Sequence, residues 1–169
     1  MLSKTRRKRS KRSSPTIITN EFSRIAPIWF YSLVSNFIKK KDSDVLWSGS
    51  TGNHFLANLF RTLAAIVEFS GIHASQVLAM DLLDLVWQFR AADIAEVRLS
   101  VLISLATAVA MIPPEKLQPV LRERNRSIPD AISDMATTDP DQHCRSIAQA
   151  ISTSVVDMAR DPLMNELIE

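Results

Sequence analysis

Between Phe22 and Ala159 apolar side chains return every three or four residues, with prolines as the main interruption. That spacing gathers each set on one side of a helix. The first set is Phe22, Ile25, Ala26, Trp29, Phe30, Leu33, Val34, Phe37 and Ile38. Asn20 is its expected N-cap, and Lys39 to Lys41 suit a helix C-terminus. Pro27 is expected to kink this helix or to open its second half. Asp42 to Asn53, with Gly49 and Gly52 among serines, reads as a loop. A second helix, His54 to Ser70, rests on Phe55, Leu56, Leu59, Phe60, Leu63, Ile66 and Val67 and ends at Gly71. The third, Ser75 to about Arg90, is apolar nearly all round, leaving Asp81, Asp84 and Gln88 as a narrow polar stripe. A fourth starts at Asp93 as N-cap and carries Ile94, Val97, Val101, Leu102, Leu105, Val109 and Ile112 before Pro113 and Pro114 stop it. Short helical pieces follow near Glu115 to Arg124 and Pro129 to Ala136. Asp139 with Pro140 then marks another start, a cap followed by proline at the first helical position. That helix holds Cys144, Ile147, Ala148, Ile151 and Val155 towards Ala159, and Asp161-Pro162 opens a last turn. With 3 glycines and 1 tyrosine, the chain is unsuited to a turn-dense sandwich, barrel or propeller. The expected fold is all-α.

A repeat underlies the pattern. Val97-Arg98 aligns with Cys144-Arg145 at an offset of 47 residues, at the upper end of the period of about 40–47 of HEAT-type helical repeats. An acidic cap opens each helix, a small apolar residue points into the layer, and the next-door arginine reaches for acidic groups of a neighbouring turn or repeat. The sequence therefore predicts a HEAT-like α-solenoid of stacked antiparallel helix pairs over residues 19–169, with an unrelated helical bundle as the alternative. Arg98 and Arg145 are expected either to pair with Asp93 or Asp139 or to line a partner-binding surface. Trp29 and Trp87 lie on packed helices and are read as core. Trp47, in the serine-rich loop, is a candidate partner anchor.

Charge is unevenly spread. Residues 1–14 contain seven bases, Lys4, Arg6, Arg7, Lys8, Arg9, Lys11 and Arg12, and no acid, while the remaining residues hold 13 bases against 18 acids, a balance of −5. Such a run buries too little to fold, so residues 1–18 read as a disordered basic tail. It reads as a solvated linker, with a nuclear import address or a grip on nucleic-acid phosphates as the functional candidates. The longest apolar run, Val101 to Ile112, contains Ser104 and Thr107 and is too short for the roughly 18 residues of a membrane span, so no membrane partner is expected.

No catalytic or metal signature emerges. His54, His73 and His143 have no second ligand at helical spacing, and neither H-E-x-x-H nor C-x-x-C occurs. One cysteine excludes a disulfide scaffold and fits a reducing compartment. Cys144 lies next to His143, which on a helix points the two apart, so it reads as a small core residue. Asp81 and Asp84 read as a solvated acidic stripe. Ser48 to Gly52 lacks the lysine of a phosphate loop. The chain is expected to need no cofactor and to be no enzyme.

Leu82 to Pro113 ("LLDLVWQFRAADIAEVRLSVLISLATAVAMIP"), Asp139 to Ile151 ("DPDQHCRSIAQAI") and Asn20 to Phe37 ("NEFSRIAPIWFYSLVSNF") resemble the C-terminal region of the telomere length regulation protein family. The points of likeness are the aromatic helix ending in Trp87, Phe89 and Arg90, the valine-arginine helix, the closing prolines and the D-P-D…C-R near the chain end. The resemblance implies an α-solenoid scaffold joining two Tel-interacting partners, themselves helical-repeat proteins, in a trimeric co-chaperone. That assembly delivers phosphatidylinositol-3-kinase-related kinases to an ATP-driven heat-shock chaperone through its adaptor. It implies a role in kinase stability, DNA-damage signalling and telomere maintenance, in cytoplasm and nucleus, with telomeric DNA as a further partner of some members. The chain departs from the family in two ways: members are several times longer, and Asp42-Ser43-Asp44 is a short stand-in for an acidic serine run that the adaptor would read.

Overall fold

A computed structural model describes residues 16–40, 49–70, 72–121 and 128–159. Among these residues it contains seven helices and no strand: α1 (Thr16–Lys39), α2 (Gly49–Phe69), α3 (Ile72–Trp87), α4 (Ala95–Met111), α5 (Pro114–Leu121), α6 (Ile128–Thr138) and α7 (Gln142–Ala159). The all-α expectation holds, and the boundaries shift for local reasons. α1 begins at Thr16, inside the span read as tail, and runs unbroken through Pro27. α2 begins at Gly49, one turn before His54. There Gly49 takes a φ of +78°, which L side chains rarely adopt, and the Asn53 amide donates to the Gly49 carbonyl at 2.7 Å, closing the first turn. The glycines and serines that look like loop thus supply the entry to a helix. α5 opens with proline at its first position, where a missing N–H costs nothing.

The helices pack in pairs: α1 on α2, α3 on α4, and α6 on α7. The second members also touch in sequence, α2 against α4 and α4 against α7, while α1 reaches α3 and α5 leans on α7. α4 is therefore central. It buries Val97, Val101, Leu102, Leu105 and Ala108, and its Ser100 and Ser104 with them. The serines are satisfied locally and across the layer: Ser100 donates to the Val97 carbonyl at 2.8 Å and Ser104 to the Phe60 carbonyl of α2 at 3.3 Å. Around α4 lie Phe60, Leu63 and Val67 of α2, Leu82, Leu83 and Val86 of α3, and Cys144 and Ala148 of α7, in one continuous core. Each fully buried leucine or phenylalanine stabilises the fold by about 1.5–3 kcal/mol over an exposed one. Phe60 meets Phe89 edge to face, centroids 5.2 Å apart.

The 47-residue offset has a structural counterpart. Ile94 and Asp141 are the N-cap residues of α4 and α7, each accepting the first intrahelical bond, from the N–H of Arg98 and of Arg145 respectively. The buried residues Val97, Val101 and Ala108 correspond to the buried Cys144, Ala148 and Val155. Both arginines turn back on the chain in the same way: Arg98 Nη1 donates to the Ala92 carbonyl, and Arg145 Nη1 to the equivalent Asp139 carbonyl.

Candidate partner-binding surfaces

Asp93 and Asp139 do not cap the helices they precede, because each lies two residues or more before the first turn. α4 is capped at Ile94 without any side-chain bond. At α7 the cap is Asp141, whose carboxylate accepts the Cys144 N–H at 2.9 Å. Asp139 forms an Asx turn instead, accepting the Asp141 N–H at 2.8 Å.

That frees Asp139 for a second task. Its two oxygens receive Arg98 Nε at 2.8 Å and Nη2 at 2.9 Å, a two-pronged pair joining α4 to the α6–α7 turn. Arg98 is 8% exposed and Asp139 6%. The remaining Arg98 contacts are to the carbonyls of Ala92 and Asp93, both at 2.8 Å. Burial of both charges is tolerable because each is hydrogen-bonded on several sides. The bond from Arg98 holds the Asp139 carboxyl below its ordinary range, against the opposing effect of burial, and Asp139 in turn raises the guanidinium. Of the two arginines expected either to pair with acids or to line a binding surface, Arg98 is spent inside the fold on one of the acids named for it. Arg145 is half-buried beside it.

Above this pair lies a cleft of about 480 Å³ between the α3–α4 and α6–α7 turns, lined by Arg90, Asp93, Asp134 and Met135 among others. Arg90 is drawn off over the Trp87 ring, 4.7 Å from its centroid. Thr138, the hydroxyl of the lining, donates to the Asp134 carbonyl at 2.9 Å.

The other sequence candidates scatter. Cys144 is buried, its thiol pushed up to about 11 first by burial and then by Asp139, and Sγ donates to the Ala95 carbonyl at 3.5 Å. It packs α7 onto α4. His54 Nδ1 lies 3.0 Å from Glu96 Oε2, with Arg61 3.7 Å from the same carboxylate. His143 is exposed, 3.9 Å from Asp141. Among the described residues no three acids, histidines or cysteines gather as a metal site would require. Trp47 and the basic residues Lys4, Arg6, Arg7, Lys8, Arg9, Lys11 and Arg12 lie outside the described residues.

Two readings are corrected. Of the acidic stripe, Asp84 is exposed, whereas Asp81 is only half-exposed and is engaged: it accepts from Tyr31 at 3.2 Å, Ser35 at 3.4 Å and Lys39 at 2.7 Å, clasping α1 to α3. The four-residue spacing of Tyr31, Ser35 and Lys39 was the signal for it. Burial, with Asp81 and then Asp84 acting in the same sense, drives the Tyr31 phenol well above its ordinary value. The second correction follows from the first. With Tyr31 and Ser35 of α1 turned towards Asp81, Trp29 is not core but 65% exposed, and Ile28, Phe30, Leu33 and Phe37 are exposed on the same helix.

No helix among the described residues is long and apolar enough to cross a membrane. No protein-family model matches the chain, and no curated protein or solved structure matches it either.

Proposed function

We infer that this chain is a non-enzymatic scaffold that holds other helical proteins, built as a HEAT-like α-solenoid. The observation that carries the reading is the open side of α1, where Ile28, Trp29, Phe30, Leu33 and Phe37 are all exposed. A contiguous apolar surface of this kind marks a contact with another macromolecule. The row of α2, α4 and α7, with caps and buried positions recurring at the same offset, supports the solenoid architecture.

On the resemblance already described, the chain serves as a subunit of the trimeric co-chaperone. Its partners are the two Tel-interacting proteins, the ATP-driven heat-shock chaperone with its adaptor, and the phosphatidylinositol-3-kinase-related kinases. Its roles are kinase stability, DNA-damage signalling and telomere length regulation, in cytoplasm and nucleus. The test is affinity capture from cell extract with the full chain: Tel-interacting proteins are expected in the eluate, and their absence sinks the reading.

A second reading is favoured by one feature, the seven bases without an acid in residues 1–14. In it the tail grips telomeric DNA. Affinity would then fall steeply with salt and disappear on deleting those residues; binding that persists without the tail ends it.

A further inference from the structure

The helices fall into two groups. α1 to α4 pack among themselves, α5 and α6 each lean on α7, and the main joint between the groups is α7 on α4. That joint is lightly built. α2 and α3 bring Phe60, Leu63, Leu82 and Val86 to the core around α4. The fully buried side chains described on α7 are Cys144, Ala148 and Val155, which take far less apolar surface out of water. The two ends of the joint differ. At the C-terminal end of α4 the chain itself crosses, through Ile112 in extended backbone and Pro113 into α5. Arg98 lies 14 residues earlier, about 21 Å along the helix axis, and there the crossing is polar. Arg98 holds both oxygens of Asp139 at 2.8 and 2.9 Å, and Cys144 Sγ donates to the Ala95 carbonyl. Above this fastening the groups stand apart across the cleft of about 480 Å³ between the α3–α4 and α6–α7 turns.

We propose that α5–α7 swings away from α1–α4 as one unit, turning at Ile112–Pro113 and fastened by Arg98–Asp139, so that the cleft widens into a groove along α4. This goes beyond the scaffold reading and does not depend on which protein is held. A seam of small side chains leaves little apolar surface to expose on opening. The fastening is different in kind. Arg98 is 8% exposed and Asp139 6%, so parting them is costly while either stays buried. A swing brings both into water at once and offsets much of that cost. Arg98 keeps its bonds to the Ala92 and Asp93 carbonyls, which lie on its own side of the joint, and Asp139 keeps the Asp141 N–H. Opening as a unit therefore lies well below global unfolding in free energy.

The test uses the full chain and its single cysteine. Cys144 is buried at the fastened end, so its reaction with excess dithiobisnitrobenzoate times the opening. Labelling is expected to depend on urea far less steeply than global unfolding does. Asp139→Asn, which keeps an acceptor for the Asp141 N–H, and Arg98→Lys are each expected to speed labelling without urea about tenfold or more. Leu82→Ala, on α3, is expected to lower the urea midpoint yet leave that rate within about twofold. Amides of α6 and α7, followed by exchange mass spectrometry, are expected to stay protected on the timescale at which the thiol reacts. Circular dichroism checks that each variant remains folded, and two fastening variants guard against one that does not. Labelling with the full urea dependence of global unfolding, or indifference to both fastening variants, overturns the proposal. So does Leu82→Ala speeding the reaction as much as they do. Exchange of α7 amides in step with the thiol overturns it too, because α7 would then unwind instead of swinging.

Discussion

Asp139 keeps a charged carboxylate almost out of water, and it can do so because Arg98 and the Asp141 N–H donate to it while the charge of Arg145 acts in the same sense. Removing one partner strands the other. Arg98→Ala and Asp139→Ala are each expected to cost about 3–5 kcal/mol, and the double variant clearly less than their sum. Urea unfolding of the three chains checks this, and strict additivity would show that the pair is not coupled. The pH dependence follows from the direction of the shift. Because the folded Asp139 pKa is depressed, its stabilisation is complete above the ordinary carboxylate value of about 3.9 and is lost as pH falls towards the native one. The urea midpoint should therefore drop below about pH 4, and less so in Asp139→Asn. Tyr31 runs the other way. Its raised pKa means stability that is intact below the ordinary phenol value of about 10 and is lost as pH climbs past it. As it is the single tyrosine, tyrosinate absorbance reads it alone. The signal should appear together with loss of helical circular dichroism; ionisation near pH 10 in a chain that stays folded would refute the burial argument.

At the scale of the helices, most of what was legible came from apolar spacing, and most of what was not came from ends. The stripes of α2, α3, α4 and α7 were readable because burying Phe60, Leu82, Leu102 and Ala148 demands the 3.6-residue period. Caps are less determined, since an aspartate followed by proline can cap a helix or make a turn before one. Asp139-Pro140-Asp141 offers both, and the long-range bond to Arg98 decides it by claiming Asp139. The two equivalent caps give an internal comparison. Asp141→Ala should cost about 1 kcal/mol by losing the bond to the Cys144 N–H, whereas Ile94→Asp should add about 0.5–1 kcal/mol where no side chain caps now. Thermal unfolding followed by circular dichroism measures both. A stabilising Asp141→Ala would mean that the cap is not formed. Asp81 shows the same limit from another side: it looks like one more solvated acid of its stripe until Tyr31, Ser35 and Lys39 of α1 reach it.

In the whole molecule, apolar residues fall into two populations that spacing alone does not separate. Leu102 has neighbours on every side, whereas Leu33 is 54% exposed. Leu102→Ala is expected to cost about 2–5 kcal/mol, while Leu33→Asp should shift stability by no more than about 0.5 kcal/mol. Urea unfolding distinguishes them, and a large loss for Leu33→Asp would mean that α1 packs the other way round. The amphipathic rhythm, the scarcity of glycine and the placed prolines determined on their own that the described residues form helices, because helical period and backbone freedom are local properties. Which side of α1 faces inward, and which acid takes Arg98, only the tertiary structure decided. Both choices are settled by partners 41 to 50 residues away, where a buried polar group must find its donor and a more apolar side can be left outside to satisfy it.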